Sequence, residues 1–277
     1  EKKSFSIYVK FAYVNGADST LPAGFDTSKL FSVIWTTTPW TMPANQAISV
    51  NPELDYSWVK IGDEAWLLAN GLIETATKEM GVESYEVLNT FKGSALELAN
   101  FKHPFADRNA PILLGSHVTL EAGTGCVHTA PAHGEDDFNV VKAYKDGGKI
   151  DFEILSLVDA TGRYIAKVDE PRYGDTEQPL AGVEIHDAEV PVIKILAHNG
   201  ALVQKGNIRH QYAHCWRCKN PVIYRATEQW FSSVDGYRQE ALKAIDEQVQ
   251  WIPKWGHDRI YNMIADRGDW VISRQRA

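Results

Sequence analysis

Cysteine is scarce, with three residues in 277: Cys126, Cys215 and Cys218. Three thiols do not make a disulfide framework, and their scarcity favours a reducing compartment, so a cytoplasmic location is expected. No apolar run approaches the length needed to cross a bilayer, and no signal-peptide pattern opens the chain. Neither a Gly-x-Ser-x-Gly elbow nor a Walker-type loop is present, which leaves serine-based acyl transfer unsupported. Positive charge is in deficit, 28 Lys and Arg against 36 Asp and Glu, a net −8. That balance argues against a broad nucleic-acid surface but leaves room for a narrow site taking one RNA end. Internal repeats and low-complexity segments are absent. So is an initiator methionine: the chain begins Glu1-Lys2-Lys3 and is expected to be a piece of something longer.

What is there can bury a sizeable core, since 44% of residues are hydrophobic and 23% charged; the length suits one large domain or two. Alternation predicts strands over 4–14, 30–35, 46–50 and 56–61, the last turning at Gly62-Asp63-Glu64 into 65–69 as a hairpin. Leu72, Ile73, Ala76 and Met80 share one helical face, closed by Gly81. Further short strands are expected near 86–91 and 112–120. Residues 150–182 read as a long excursion loop, and Asp187 as the cap of a helix ended by Gly200. Helices are expected over 237–249 and 259–265 as a separate layer. Many short strands without a βαβ rhythm predict an α+β fold, a β-barrel-like core with peripheral helices and a helical C-terminal segment.

Chemistry concentrates in Gly123-Thr-Gly-Cys-Val-His-Thr-Ala-Pro-Ala-His-Gly-Glu-Asp-Asp137. Cys126, His128 and Ala130 alternate as a strand would, Pro131 ends it, and a helix starts near Asp136. In one reading Asp136 or Asp137 merely caps that helix and His128 is a satisfied strand residue. In the other, His128 and Asp137 face one small substrate and the carboxylate binds a cation such as an amino group. Spacing leaves both open. Thr36-Thr37-Thr38 suits a strand, but Pro39 and Pro43 end the ladder and leave hydroxyls at a strand terminus, with Asn45 at the far end of the bend. His214-Cys215-Trp-Arg-Cys218 holds a Cys-x-x-Cys, half of a tetrahedral zinc set, to be completed only by sequence outside this chain. His103, His117, His186, His198, His210 and His257 have no acid or nucleophile at a telling spacing. Arg267, Arg274 and Arg276 are candidate phosphate contacts or solvated surface.

Together, Trp35-TTTPWTMPAN-45 and the stretch 123–137 resemble the editing (CP1) domain of bacterial-type isoleucyl-tRNA synthetases, in the class I aminoacyl-tRNA synthetase family. Ser4–Phe11, His214-CWRCKNPVIYRATEQWF-231 and Asp269-WVISRQR-276 fit the same family in the same order, so the resemblance spans nearly the whole chain. Relatives specific for valine and leucine usually carry Thr-Thr-Arg-Pro where this chain has Thr-Thr-Thr-Pro-Trp. Val271 departs from a common Cys in the last motif. The family's His-Ile-Gly-His and Lys-Met-Ser-Lys-Ser signatures do not occur here. The resemblance therefore implies proofreading without aminoacylation: hydrolysis of valine from Val-tRNA(Ile), and possible action on valyl-adenylate. A binding pocket rejects a substrate one methylene too small by only roughly 1–3 kcal/mol, a limit established on this very enzyme class, so a second site must remove the error.

By that resemblance Asp137 holds the ammonium of the misattached valine, and Thr37 and Thr38 serve the hydrolysis. Trp35, Thr36 and Thr41 line the pocket, and His128 sets the size limit. Asn45 supports the threonine loop or the terminal adenosine, and Asp136 is a neighbour. No cofactor is implied for editing. The implied partner is the 3′ end of tRNA(Ile), with no membrane or DNA, and the chain is expected to be monomeric. The implied segments are 1–20 as a connecting strand region, 21–205 as the editing domain, and 206–277 as the connection back to a catalytic Rossmann fold. A competing expectation is a non-catalytic tRNA 3′-end binding module that needs the full synthetase for activity. A zinc-stabilised scaffold is a third.

Overall fold

The computed structural model describes residues 2–169 and 179–273. Arg274 and Arg276 lie outside the described residues. The chain divides into two compact units, Glu1–Ala226 and Thr227–Ala277.

Among the described residues the first unit has ten strands: β1 (Lys2–Asn15), β2 (Leu30–Thr36), β3 (Ala47–Val50), β4 (Asp55–Ile61), β5 (Glu64–Ala69), β6 (Glu86–Lys92), β7 (Asn100–Lys102), β8 (Asn109–Leu114), β9 (Val127–Thr129) and β10 (Leu202–His210). Six of them close a ring in the order β1-β7-β8-β3-β9-β2, because β2 pairs back onto β1. β10 adds to β1 outside the ring, and β5-β4-β6 extend from β2. The length of β1 makes closure possible: it pairs with β10 through its first half, with β2 over 7–12 and with β7 at its end. Alternation supplies the interior. Ile7, Val9 and Phe11 of β1 meet Leu30 and Ile34 of β2, Ile48 and Val50 of β3, Phe101 and Ile112, all fully buried. Each such side chain contributes about 1.5–3 kcal/mol on burial. The opposite face of β1, β2 and β5, bearing Tyr8, Val33, Trp66 and Leu68, is covered by α1 (Ile73–Glu79) through Ile73 and Ala76.

α2 (Glu135–Asp146) follows β9, with Val141 and Tyr144 buried. The predicted hairpin at Gly62 is present. Other expectations differ. The strand expected over 112–120 runs Asn109–Leu114, and β7 and β10 were not foreseen. Pairings β2–β5, β2–β9 and β3–β8 are parallel, so the sheet is mixed. Asp187 does not cap α3 (Glu189–His198), whose N-cap is Ala188 with no side-chain bond. The excursion is not loose where it is described: Leu157, Val158, Tyr164 and Leu180 are buried in the main core. The expected segment boundaries at 20 and 205 do not coincide with the division into units, because β1 and β10 are hydrogen-bonded members of the sheet.

The second unit holds β11 (Phe231–Ser232) paired with β12 (Trp270–Val271), α4 (Arg238–Glu247) and α5 (Gly256–Ala265). Arg238 closes it by donating to the Ile264, Ala265 and Arg267 carbonyls at the C-terminal end of α5, where a helix leaves acceptors unmet. Among the described residues no helix is long and apolar enough to cross a membrane.

Candidate active site

The threonine run ends β2. Beyond Thr36 the prolines remove donors the ladder would need, and Pro39–Ala44 form a buried 3-10 segment. The segment is tied down where it begins. Thr36 Oγ1 accepts the Thr38 N–H at 3.1 Å, and the Thr41 N–H donates to Thr38 O at 3.1 Å. The hydroxyls of Thr37 and Thr38 bond to no other group among the described residues, and both residues are half-buried. They are the open donors and acceptors of the loop.

His128 comes from β9, between β3 and β2 in the ring. Its Nδ1 receives the Asn45 amide at 2.8 Å, and its Nε2 lies 2.9 Å from Thr41 Oγ1, which donates to Thr38 O at 2.8 Å. The ring is 7% exposed. Burial first, then the positive fields of His133 and Arg108, bring its pKa down to about 3. His128 is therefore neutral, with both nitrogens occupied. It is a satisfied strand residue, as the plainer reading had it, its ring fixed through both nitrogens.

Asp137 sits at the start of α2 but does not cap it: the N-cap is Gly134, with no side-chain bond. Instead the carboxylate folds back over Gly134, and Oδ2 accepts the Ala130 N–H at 2.8 Å. A Cβ at Gly134 would lie 2.8 Å from that oxygen, so glycine leaves the carboxylate its path. Ala130 directly follows β9, which pins Asp137 to the strand that carries His128. Burial raises the Asp137 pKa, opposed by the Ala130 bond and by His117. Oδ1 has no protein partner among the described residues. Asp136, one position earlier, is exposed.

Trp35 and the other site residues part company. Strand alternation sends its side chain to the face opposite Ile34 and Thr36, where it packs with Tyr8 and Trp66. There it lines a groove of about 410 Å³ with Tyr8, Gln204 and Asn207. Gly123, at φ +82°, lies directly against its ring. The structure thus joins Thr36, Thr38, Thr41, Asn45 and His128 in one hydrogen-bonded set and ties Asp137 to the end of β9. A larger cavity of about 720 Å³, lined by Thr161, Glu184, His186, Glu189 and Asn220, contains none of the predicted residues.

Two residues that sequence reasoning passed over support the loop from the β7–β8 turn. His103, fully buried and held neutral by burial, donates from Nε2 to Met42 O at 2.9 Å. Arg108 donates from Nε to Asn45 O at 2.8 Å and from Nη2 to Pro43 O. No spacing rule joins residues some sixty positions apart.

No cysteine joins the threonine loop, His128 or Asp137 as a nucleophile. Cys126 is 1% exposed and burial pushes its thiol up to about 12. Cys215 and Cys218 sit on a tight turn with Lys219 at φ +61°, and backbone N–H groups of Cys218 and Arg217 draw the Cys215 pKa down. Among the described residues no three metal-ligating side chains gather. The arrangement combines a carboxylate with one unpartnered oxygen, two threonine hydroxyls without protein partners among the described residues, and a neutral imidazole bonded at both nitrogens.

The fold and sequence have clear counterparts. Residues 36–277 match the family tRNA synthetases class I (I, L, M and V). An isoleucine–tRNA ligase of Syntrophomonas wolfei subsp. wolfei is 50% identical over 276 residues, 100% of this chain and 27% of the relative. One of Brevibacillus brevis is 51% identical over 278 residues, 100% of this chain and 28% of its own length. The chain spans little more than a quarter of the length of these curated relatives. Among solved structures, GlLeuRS-CP1 superposes with a TM-score of 0.56 at 17% identity, over 74% of this chain and 99% of that one. The editing domain of P. knowlesi cytosolic leucyl-tRNA synthetase gives 0.53 at 13% identity, over 72% and 96%. At such identities what is shared is the fold. The chain belongs to the class I tRNA synthetases and has the fold of their CP1 editing domains.

Proposed function

We propose that this chain is a proofreading hydrolase that removes valine from Val-tRNA(Ile) and spares isoleucine by size. The observation that carries the reading is Asp137: a carboxylate pinned by the Ala130 N–H with one oxygen open, on the strand end that bears the His128 wall. That oxygen would hold the α-ammonium of the ester. His128, locked through both ring nitrogens, would meet the side chain and stop the extra methylene of isoleucine. The Thr37 and Thr38 hydroxyls would orient the carbonyl and the attacking water, with Thr36, Thr41 and Asn45 holding their loop and Asp136 at the rim. Trp35 would reach only the RNA side, through its separate groove.

Water suffices as nucleophile because the aminoacyl ester is already activated, so orientation and charge placement supply the rate. Its oxygen bonds to the ester carbonyl carbon, the C–O bond to the terminal ribose breaks, and the ribose oxygen takes a proton. A neighbouring ribose hydroxyl would position the water. The reaction needs no cofactor. The partner is the tRNA(Ile) 3′ end, with valyl-adenylate as a second substrate of the same chemistry, and the working form is a cytoplasmic monomeric domain. The Cys215–Cys218 pair stays outside the reaction.

Deacylation of Val-tRNA(Ile) and Ile-tRNA(Ile) by the chain tests this. Fast release of valine alone supports it; equal cleavage of both esters removes the size filter. Binding of the tRNA 3′ end with no hydrolysis at high protein concentration would leave a recognition module that needs the full synthetase for activity, the reading toward which the net charge of −8 leans, because tRNA affinity depends on phosphate neutralisation.

A further inference from the structure

Arg108 stands at the turn between β7 and β8, and its own backbone is fixed: its N–H donates to Ala106 O at 2.8 Å and its carbonyl accepts the His103 N–H at 3.0 Å. From there the half-buried guanidinium forks onto two carbonyls of the threonine loop, those of Asn45 and Pro43. With His103 on Met42 O, one turn takes three of the four carbonyls from Met42 to Asn45.

Asn45 is also the residue that decides the protonation of His128. Its Nδ2 donates to Ala47 O and to His128 Nδ1, each at 2.8 Å. A ring nitrogen that accepts carries no proton, so His128 is the neutral Nε2–H tautomer. Nε2–H then donates to Thr41 Oγ1, and the Thr41 hydroxyl donates to Thr38 O. The chain of bonds has one direction from Asn45 to the backbone of Thr38. Reversing the Asn45 amide would set its oxygen against Ala47 O, turn the His128 bonds round and take the Thr41 hydroxyl away from Thr38 O.

We propose that Arg108 is a positioning residue of this site: by bridging the Pro43 and Asn45 carbonyls it holds the Asn45 amide in the orientation that orders His128, Thr41 and the Thr38 carbonyl, and so aims the Thr37 and Thr38 hydroxyls and the His128 wall. Its part in catalysis rests on the editing reading; its part in ordering the loop does not. Arg108 acts through others and needs no contact with substrate. A lysine keeps the charge and the stem but, as a point donor, does not reproduce a fork spanning two carbonyls.

The test compares Arg108→Lys and Arg108→Met in the 277-residue chain. Both are expected to lose on the order of tenfold or more in kcat for Val-tRNA(Ile), as misplaced catalytic groups do, with KM changed less than about twofold. The preference for the valyl over the isoleucyl ester is expected to fall with it. Ring-nitrogen NMR is expected to show His128 passing from one Nε2–H tautomer to a mixture, in protein that still unfolds cooperatively. Arg108→Lys remains readable where the methionine variant fails to fold. Unchanged kcat, or His128 retained as a single Nε2–H tautomer, overturns the proposal. So does a loss confined to KM, which places Arg108 on the RNA instead. Should the unsubstituted chain hydrolyse neither ester, the editing reading falls, and the His128 tautomer alone decides whether Arg108 orders the loop.

Discussion

Replacing Asp137 by asparagine separates its charge from its shape. Oδ2 accepts the Ala130 N–H at 2.8 Å, and an asparagine carbonyl keeps that bond. Its NH2 then faces the place proposed for the substrate ammonium, donor against donor. An ammonium and a carboxylate about 4 Å apart attract by ~4 kcal/mol at an effective dielectric near 20, and desolvation returns part of that. A loss of about 2–4 kcal/mol in transition-state binding follows, or roughly 30- to 1,000-fold in kcat/KM. Stability moves the other way. Burial raises the carboxyl pKa in the folded chain above its ordinary value. Between the unfolded and folded values the native state binds the proton more tightly, so stability falls as pH rises through that window. At neutral pH the ionised Asp137 therefore weakens the fold, and Asp137→Asn is expected to melt no lower than the parent. Alanine is the poorer probe, because it strands the buried Ala130 N–H at about 1–3 kcal/mol. The assay is release of labelled valine from Val-tRNA(Ile), alongside thermal unfolding at pH 7. Hydrolysis by Asp137→Asn within about threefold of the parent would refute the ammonium anchor. A clear fall in melting temperature would show the carboxylate to be a structural brace instead.

Removing the wall at His128 by alanine is expected to raise hydrolysis of Ile-tRNA(Ile) relative to Val-tRNA(Ile) by about tenfold, the order that one methylene commands; an unchanged ratio would move the size filter elsewhere. Gly125 combines φ +77° with a Cβ position 2.3 Å from Ala69 Cβ, so Gly125→Ala is expected to cost about 3 kcal/mol or more in denaturant unfolding. A cost below about 1 kcal/mol would mean that β5 yields at that point. In the second unit, hydrogen bonds that the His257 ring donates to Asp258 and Asp246 raise its pKa. The stability it lends is full below its unfolded value near 6.5 and is lost as pH rises through the raised folded value. Amide exchange in α4 and α5 is therefore expected to quicken across that window, and Asp246→Asn to reduce the dependence.

Local patterns in the sequence were enough to place much of this protein. The β4–β5 hairpin turning at Gly62, the α1 face of Ile73 and Ala76, and the strand-to-helix passage through 123–137 were all legible because each rests on neighbours in the chain. So was the family, since Thr36–Asn45 and Gly123–Asp137 together are a rare pairing of stretches. Other features depended on contacts that periodicity does not report. The ring closes only because β1 is long enough for three partners, and β7 is too short to announce itself. Asp137 read equally as a cap or an anchor, and only the structure shows that its oxygen takes the Ala130 N–H and does not cap α2. Trp35 adjoins Thr36 in sequence, yet pleating sends it to the other face. The bonds that set the His128 tautomer and fix the loop carbonyls join residues 61 to 87 positions apart. Sequence determined most of the local elements and the candidate site residues; tertiary structure decided their orientation, because hydrogen bonds across a closed barrel depend on register and not on spacing.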